Sequence, residues 1–184
     1  MKIENKLICD VEPAIYKDFD CGKEWSMNLF LKEDALKYYL SGQATTNVII
    51  DAENNQTIGY FSLKCNSFKI SNIDLSNSEE IIEVIPAVEI ARFAVDRNFQ
   101  GKIMENDDIK YSEYIMDELM YNVQFIREYF IGIKAIILFS VNGLKQINFY
   151  KKMGFKIFNE FYDAYQSTEN ENCIPMYLFL TSVK

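Results

Sequence analysis

The chain has 184 residues, of which 49% are hydrophobic and 25% charged, with a net charge of −8 and no histidine; these are values of one globular domain, long enough to bury about two thirds of its unfolded surface. The missing imidazole removes Ser-His-Asp triads, Cys-His pairs, HExxH zinc sites and facial-triad iron together, so any chemistry must rest on carboxylates, tyrosine, lysine, backbone amides or a cofactor. The acidic balance opposes general polyanion binding. The four cysteines Cys9, Cys21, Cys65 and Cys173 are too scattered for a zinc ribbon or a CxxC pair and read as reduced thiols.

"KLICDVE" is a short strand, and "WSMNLFLKEDALKYYLSG" is helical, its apolar spacing running through Leu29, Leu36, Tyr39 and Leu40 and stopping at Gly42. "TTNVIIDA", the turn "ENNQ" and "TIGYFSLKC" make a hairpin, and "SNIDLSNSEE" is a polar loop. "IIEVIPAVEIARFAVD" is a long strand in which Pro86 marks a bulge or an edge segment. Residues 111–130 form the strongest helix, with Ile115, Leu119, Val123, Ile126 and Phe130 on one face and Ser112 as N-cap. "KAIILFSV" has the unbroken apolar pattern of a strand buried on both faces; its core, "AIILF", is far shorter than the ~20 residues of a membrane helix. A short helix "NGLKQINFYKKMG" follows, then two closing strands, "FKIFNEFYDAYQ" and "CIPMYLFLTS", around the loop "STENEN". The start of the chain lacks the apolar region of a signal peptide, so the expectation is one cytoplasmic α+β domain over residues 1–184, without a membrane segment.

Two segments, "AVEIARFAVDRNFQGK" and "NFYKKMGFKIF", in this element order, resemble the GNAT superfamily of acetyl-CoA-dependent N-acetyltransferases. The resemblance implies a mixed central sheet of about seven strands flanked by about four helices. It also implies acetyl-CoA as co-substrate, no metal, and direct transfer to an amine in a ternary complex. "FDCGKEWSMNLFLKEDALKYYLSGQATTNVIID" with "IGYFSL" is similar, more faintly, to the N-terminal half of the GNAT toxins that acetylate aminoacyl-tRNA. From residue 129 to 159 there are five lysines, Lys134, Lys145, Lys151, Lys152 and Lys156, and no acidic residue. That run is either a local basic face or a solvated helix beside the cofactor's phosphates.

An alkyl amine of pKa ~10.4 is almost wholly protonated at pH 7, so transfer to it needs a base. Glu89 is the candidate: it lies mid-strand in an apolar context that disfavours the charged carboxylate, and it matches by position the base glutamate of the histone-acetylating branch. An ion pair with Arg92 or Lys64 is the alternative. Tyr150 is implied by the resemblance as the acid that protonates the leaving thiolate, the alternative being a packing role like that of Phe149. The resemblance also assigns backbone groups of Phe93, Ala94 and Val95 to the pantetheine arm, and Asn142 to the cofactor, against an alternative role as helix N-cap.

The family's Q/R-x-x-G-x-G/A loop is absent: matched from Gln100, it puts Ile103 and Glu105 where glycines belong. A non-glycine residue in the left-handed region costs ~1–2 kcal/mol, and a carboxylate facing phosphate is repelled. Treating "IMENDD" as an insertion restores the match. Arg97, Gln100, Gly101 and Lys102 then lie upstream of the insertion, Lys110, Tyr111 and Ser112 enter the phosphate-facing helix, and an acidic loop protrudes at residues 104–108.

The expected function is acetyl transfer to a primary amine of a small molecule, a protein or an aminoacyl-tRNA. Acidic segments at residues 79–89 and 105–118 favour a cationic acceptor such as a polyamine, an aminoglycoside or a protein amine. The alternatives are a toxin-like enzyme acting on aminoacyl-tRNA and a non-catalytic acyl-CoA-binding domain. The sequence leaves monomer and homodimer open.

Overall fold

The computed structural model describes residues 1–74, 79–105, 107–158, 162–164 and 172–181. Contacts group the chain into two compact units, Met1–Lys64 with Ala91–Ile126, and Cys65–Ile90 with Arg127–Lys184.

In the first unit β1 (Ile3–Leu7) pairs antiparallel with β2 (Thr45–Asp51), which pairs antiparallel with the start of β3 (Gln56–Asp74). The turn between β2 and β3 is closed by the buried carboxylate of Asp51, which accepts from the Glu53 N–H at 3.1 Å and the Asn54 amide at 2.6 Å. "KLICDVE" is not a strand throughout: the chain leaves β1 at Leu7 and turns in a 3₁₀ segment at Ile8–Asp10, where Ile8 enters the core. After α1 (Pro13–Tyr16), residues 25–40 form one helical run: α2 (Trp25–Leu29), a π turn at Phe30–Asp34, and α3 (Ala35–Leu40). The run has the expected extent, but of the expected stripe only Tyr39 packs against the core. Phe30, Leu31 and Ala35 are buried, while Leu29, Leu36 and Leu40 are exposed. The wide π turn brings adjacent Phe30 and Leu31 into the core together, which no 3.6-residue template anticipates. Phe30 stacks on the buried ring of Tyr60, whose hydroxyl donates to the Met27 carbonyl at 2.8 Å.

α4 (Tyr111–Tyr129) buries Ile115, Met116, Leu119 and Val123, as its apolar face predicts, whereas Phe130 lies past its end and is exposed. Its approach to the sheet is set by Gly59: a Cβ added there would lie 2.6 Å from the Ala94 carbonyl oxygen and 2.6 Å from Cδ1 of Ile115.

β4 (Glu79–Val95) contributes its residues up to Ile90 to the second unit, where it pairs in parallel with β5 (Ala135–Val141) over Ala87–Ile90 and Ala135–Leu138. Pro86 sits inside the continuous strand; the parallel ladder with β5 starts one residue later, and the Pro86 carbonyl accepts from the Lys134 N–H at 2.9 Å. After β5 come α5 (Leu144–Lys152), β6 (Lys156–Ile157), β7 (Tyr162–Ala164) and β8 (Cys173–Phe179). β8 pairs antiparallel with β5 and β6, and β7 pairs with β3 at Phe68–Ile70. Phe68, Ile85, Ala87, Ala135, Ile137 and Tyr177 make this unit's core.

The strand order is β1-β2-β3-β4-β5-β8-β6, with β7 added beside β3. The loop expected at "SNIDLSNSEE" is shorter than read, since β3 runs to Asp74 and β4 starts at Glu79; residues 75–78, and most of "STENEN", lie outside the described residues. Among the described residues no helix is long and apolar enough to cross a membrane, and no group of three or more acidic or cysteine residues is placed to hold a metal.

Candidate functional site

The sequence-derived residues fall into two sets. Phe93, Ala94, Val95, Arg97, Gln100, Gly101, Lys102, Lys110, Tyr111 and Ser112 lie in the first unit; Glu89, Asn142, Phe149 and Tyr150 lie in the second.

In the first unit β4 ends at Val95 and runs into a turn organised by Asp96, only 3% exposed. Its carboxylate accepts from the Asp20 N–H at 3.0 Å and the Asn98 N–H at 2.8 Å, and its carbonyl accepts from the N–H groups of Phe99 and Gln100. The neighbouring segment is bound to this turn point by point. The Asp20 carbonyl accepts from the Arg97 N–H, the Asp20 carboxylate pairs with the Arg97 guanidinium at 2.9 Å, and the Gln100 amide donates to the carbonyls of Cys21 and Val95, each at 2.9 Å. The side chains of Arg97 and Gln100, read from sequence as cofactor groups, are thus engaged by the protein itself. Asp96→Ala leaves two N–H groups without their acceptor and is expected to cost about 2 kcal/mol of stability, read as a lower urea midpoint at unchanged slope.

Gly101 has φ +73°, a conformation that favours glycine. Beyond it the insertion is a closed excursion: an antiparallel bridge joins Ile103 to Lys110, flanked by bonds from the Met104 N–H to the Ile109 carbonyl at 2.9 Å and from the Tyr111 N–H to the Lys102 carbonyl at 3.2 Å. A bridge of this type turns the N–H groups of Ile103 and Lys110 outward, away from their partner. Glu105, Asp107 and Asp108 are exposed on the excursion, which is the acidic loop the sequence predicts.

The helix that follows starts differently from the reading. Lys110 holds the N-cap position, its carbonyl accepting from the N–H groups of Glu113 and Tyr114, and Ser112 lies in the first turn. Tyr111 is a structural residue: its ring is buried, edge-on to Phe99 at 4.9 Å, and its N–H is used by Lys102.

Cys21 Sγ lies 3.4 Å from the Glu24 carbonyl, and burial together with the Asp20 carboxylate pushes its thiol up to about 11. At pH 8 about 0.1% of such a thiol is ionised, against roughly a quarter of one at 8.5, so Cys21 should alkylate about two orders of magnitude more slowly than free cysteine. Peptide mass spectrometry after timed iodoacetamide treatment measures this.

In the second unit Glu89 is 3% exposed and accepts from the Asn66 amide at 2.5 Å. Asn66 was missed, and only its place on β3 beside a buried carboxylate identifies it. Tyr150 is half-buried in α5, its ring edge-on to Phe149 at 5.3 Å and to Phe155 at 5.9 Å, and burial raises its hydroxyl above the ordinary tyrosine value. A hydroxyl held protonated is a donor. Gly143, not Asn142, is the N-cap of α5, and no side chain closes that cap. Of the five lysines, Lys134 is paired with Glu83 at 2.5 Å; Lys145, Lys151, Lys152 and Lys156 lie on α5 and β6 with exposed surfaces.

This strand order, with its helices, is the acyl-CoA N-acyltransferase (GNAT) fold. Among solved structures the chain is similar to a tyrosine-to-phenylalanine mutant of the AtaT toxin bound to the C-terminus of the antitoxin AtaR and acetyl-CoA, with TM-score 0.69 and 20% identity over 97% of this chain and 94% of that one. It is also similar to a tyrosine-to-phenylalanine mutant of KacT, with TM-score 0.68 and 18% identity over 97% and 95% of the two chains. AtaT complexed with acetyl-methionyl-tRNAfMet matches with TM-score 0.66 and 21% identity over 91% and 96%. No protein-family profile matches the sequence.

Proposed function

We propose that this protein is an acetyl-CoA-dependent N-acetyltransferase whose acceptor is the α-amine of an aminoacyl-tRNA. The observation that carries the reading is the likeness, over nine tenths of the chain, to a toxin solved with an acetylated aminoacyl-tRNA. A polyamine, an aminoglycoside or a protein amine is favoured by the acidic segments alone.

The coenzyme supplies an activated acetyl thioester; the chain holds and orients it. The outward N–H groups of Ile103 and Lys110, the Gly101 turn, the first turn of α4 at Ser112 and the exposed side chains of Lys102 and Lys110 form a cradle for a pyrophosphate without the usual glycines. The backbone of Phe93, Ala94 and Val95, where β4 runs on past its parallel ladder, suits an extended amide-containing arm. In the second unit the Phe149 ring packs edge-on to Tyr150, and Asn142 lies exposed just after β5.

The acceptor's chemistry fits a modest base. An α-amine of pKa ~7.7–8 is already neutral in roughly a tenth of molecules at pH 7, far more than an alkyl amine. Glu89, oriented by Asn66, takes the remaining proton directly or through water. Glu89→Gln is expected to lower kcat about tenfold at pH 7, with the deficit shrinking toward pH 9 as the amine deprotonates by itself; a deficit independent of pH excludes Glu89 as base.

The deciding experiment incubates purified protein and labelled acetyl-CoA with charged tRNA, uncharged tRNA, spermidine and an aminoglycoside. Label stable on charged tRNA alone supports the proposal. Label only on spermidine or the aminoglycoside overturns it. No transfer to any acceptor, with acetyl-CoA still bound, supports a non-catalytic acyl-CoA-binding domain.

A further inference from the structure

We propose that Gln100 is a positioning residue that couples the turn holding the coenzyme to the start of the helical run 25–40, so that coenzyme binding tightens residues 20–28. The proposal rests on the reading of the Gly101 turn as part of a coenzyme site.

The segment 20–22 belongs to no ladder or helix, yet its backbone is almost fully committed. The N–H groups of Asp20, Cys21 and Gly22 donate to side-chain oxygens of Asp96, Asn28 and Asp20, at 3.0, 2.8 and 2.8 Å. The carbonyls of Asp20 and Cys21 accept from the Arg97 N–H and the Gln100 amide, each at 2.9 Å. Asn28, on α2, closes the set by donating to the Asp20 carboxylate at 3.0 Å. A segment held this way follows whatever holds it, because side-chain bonds transmit displacement while adding no stiff backbone of their own.

Gln100 is the member of this set next to the coenzyme. One amide group forks between Cys21 and Val95, and the following residue is Gly101, whose left-handed backbone begins the cradle. An anion drawn onto the N–H groups beyond Gly101 fixes the Gln100 backbone, and with it the fork. The start of α2 is then held through Cys21 and Asn28. Without an anion the same bonds open more often, as expected of a segment with no ladder.

Hydrogen exchange tests this without an acceptor, because the N–H groups of residues 20–22 report directly on the clasp. Wild type is compared with Gln100→Met, which keeps length and loses both donors, and Gln100→Arg, whose guanidinium offers two donors again. Each protein is measured free and at saturating CoA, after circular dichroism confirms that it is folded. In wild type CoA should slow exchange in peptides covering 20–28 by about threefold or more, alongside protection of 101–112. In Gln100→Met the protection should stay confined to 101–112, and Gln100→Arg should restore it at 20–28. Protection at 101–112 without any at 20–28 in wild type, or equal protection at 20–28 in Gln100→Met, overturns the coupling and leaves the coenzyme reading intact. No protection at 101–112 together with no heat of CoA binding overturns both.

Discussion

Replacing Tyr150 by phenylalanine is expected to lower the rate of acetyl transfer by about 10²–10³-fold, the loss of one general acid and equivalent to about 2.7–4 kcal/mol of barrier. The departing coenzyme thiolate has a conjugate acid near pKa 8.5, so at pH 7 it leaves far more readily when a donor is within reach. In the proposed reaction Tyr150 is that donor, and burial, which raises its hydroxyl above the ordinary value, keeps it protonated. The substitution removes one oxygen and keeps the ring that packs against Phe149 and Phe155. Melting temperature and coenzyme affinity should therefore stay close to wild type while turnover collapses. A rate within threefold of wild type would assign Tyr150 to packing alone.

The largest effect on stability is expected at Gly59. Its backbone needs no left-handed conformation, so the requirement is purely one of space. An added methyl would sit 2.6 Å from the Ala94 carbonyl oxygen and from Ile115, and 3.3 Å from the Val95 Cα. Ile115 has other rotamers, but the β4 backbone cannot yield without moving the strand that carries Phe93 to Val95. Gly59→Ala is expected to cost about 3 kcal/mol, at the upper end of the range for overpacking. For a chain of this size that is a fall of about 6–12 °C in melting temperature. Scanning calorimetry measures it, and a shift below 2 °C would show that α4 is free to move away from β3. The second reading is CoA affinity: a methyl that displaces β4 should weaken binding along with stability, whereas Asp96→Ala acts on the turn.

The sequence revealed those parts of the molecule whose signal is periodic. α4 showed its buried stripe at Ile115, Leu119 and Val123 because a regular helix on a sheet repeats its inward face. β5 showed itself as an apolar run because both its faces are covered. The run 25–40 misled for the converse reason: the π turn advances the inward face, so that the apparent stripe through Leu29, Leu36 and Leu40 is the outward one. The site residues divide in the same way. Tyr150, Glu89 and the insertion were visible as residue types at telling positions. The commitments of Arg97, Gln100 and Tyr111 to Asp20, Cys21 and Phe99 were not, because those contacts join residues about 80 or 12 positions apart and no local pattern encodes them. Asn66 was invisible until β3 placed it beside Glu89.

The excursion between Ile103 and Lys110 closes on itself before the chain enters α4. The frame on either side is therefore set by the bridge and by Gly101, and the residues at the tip contribute little to it. Such a tip can change length and charge while the turn beneath it keeps its shape. It is also where a short reporter peptide could be spliced in with the least disturbance, giving a handle for following the protein in solution.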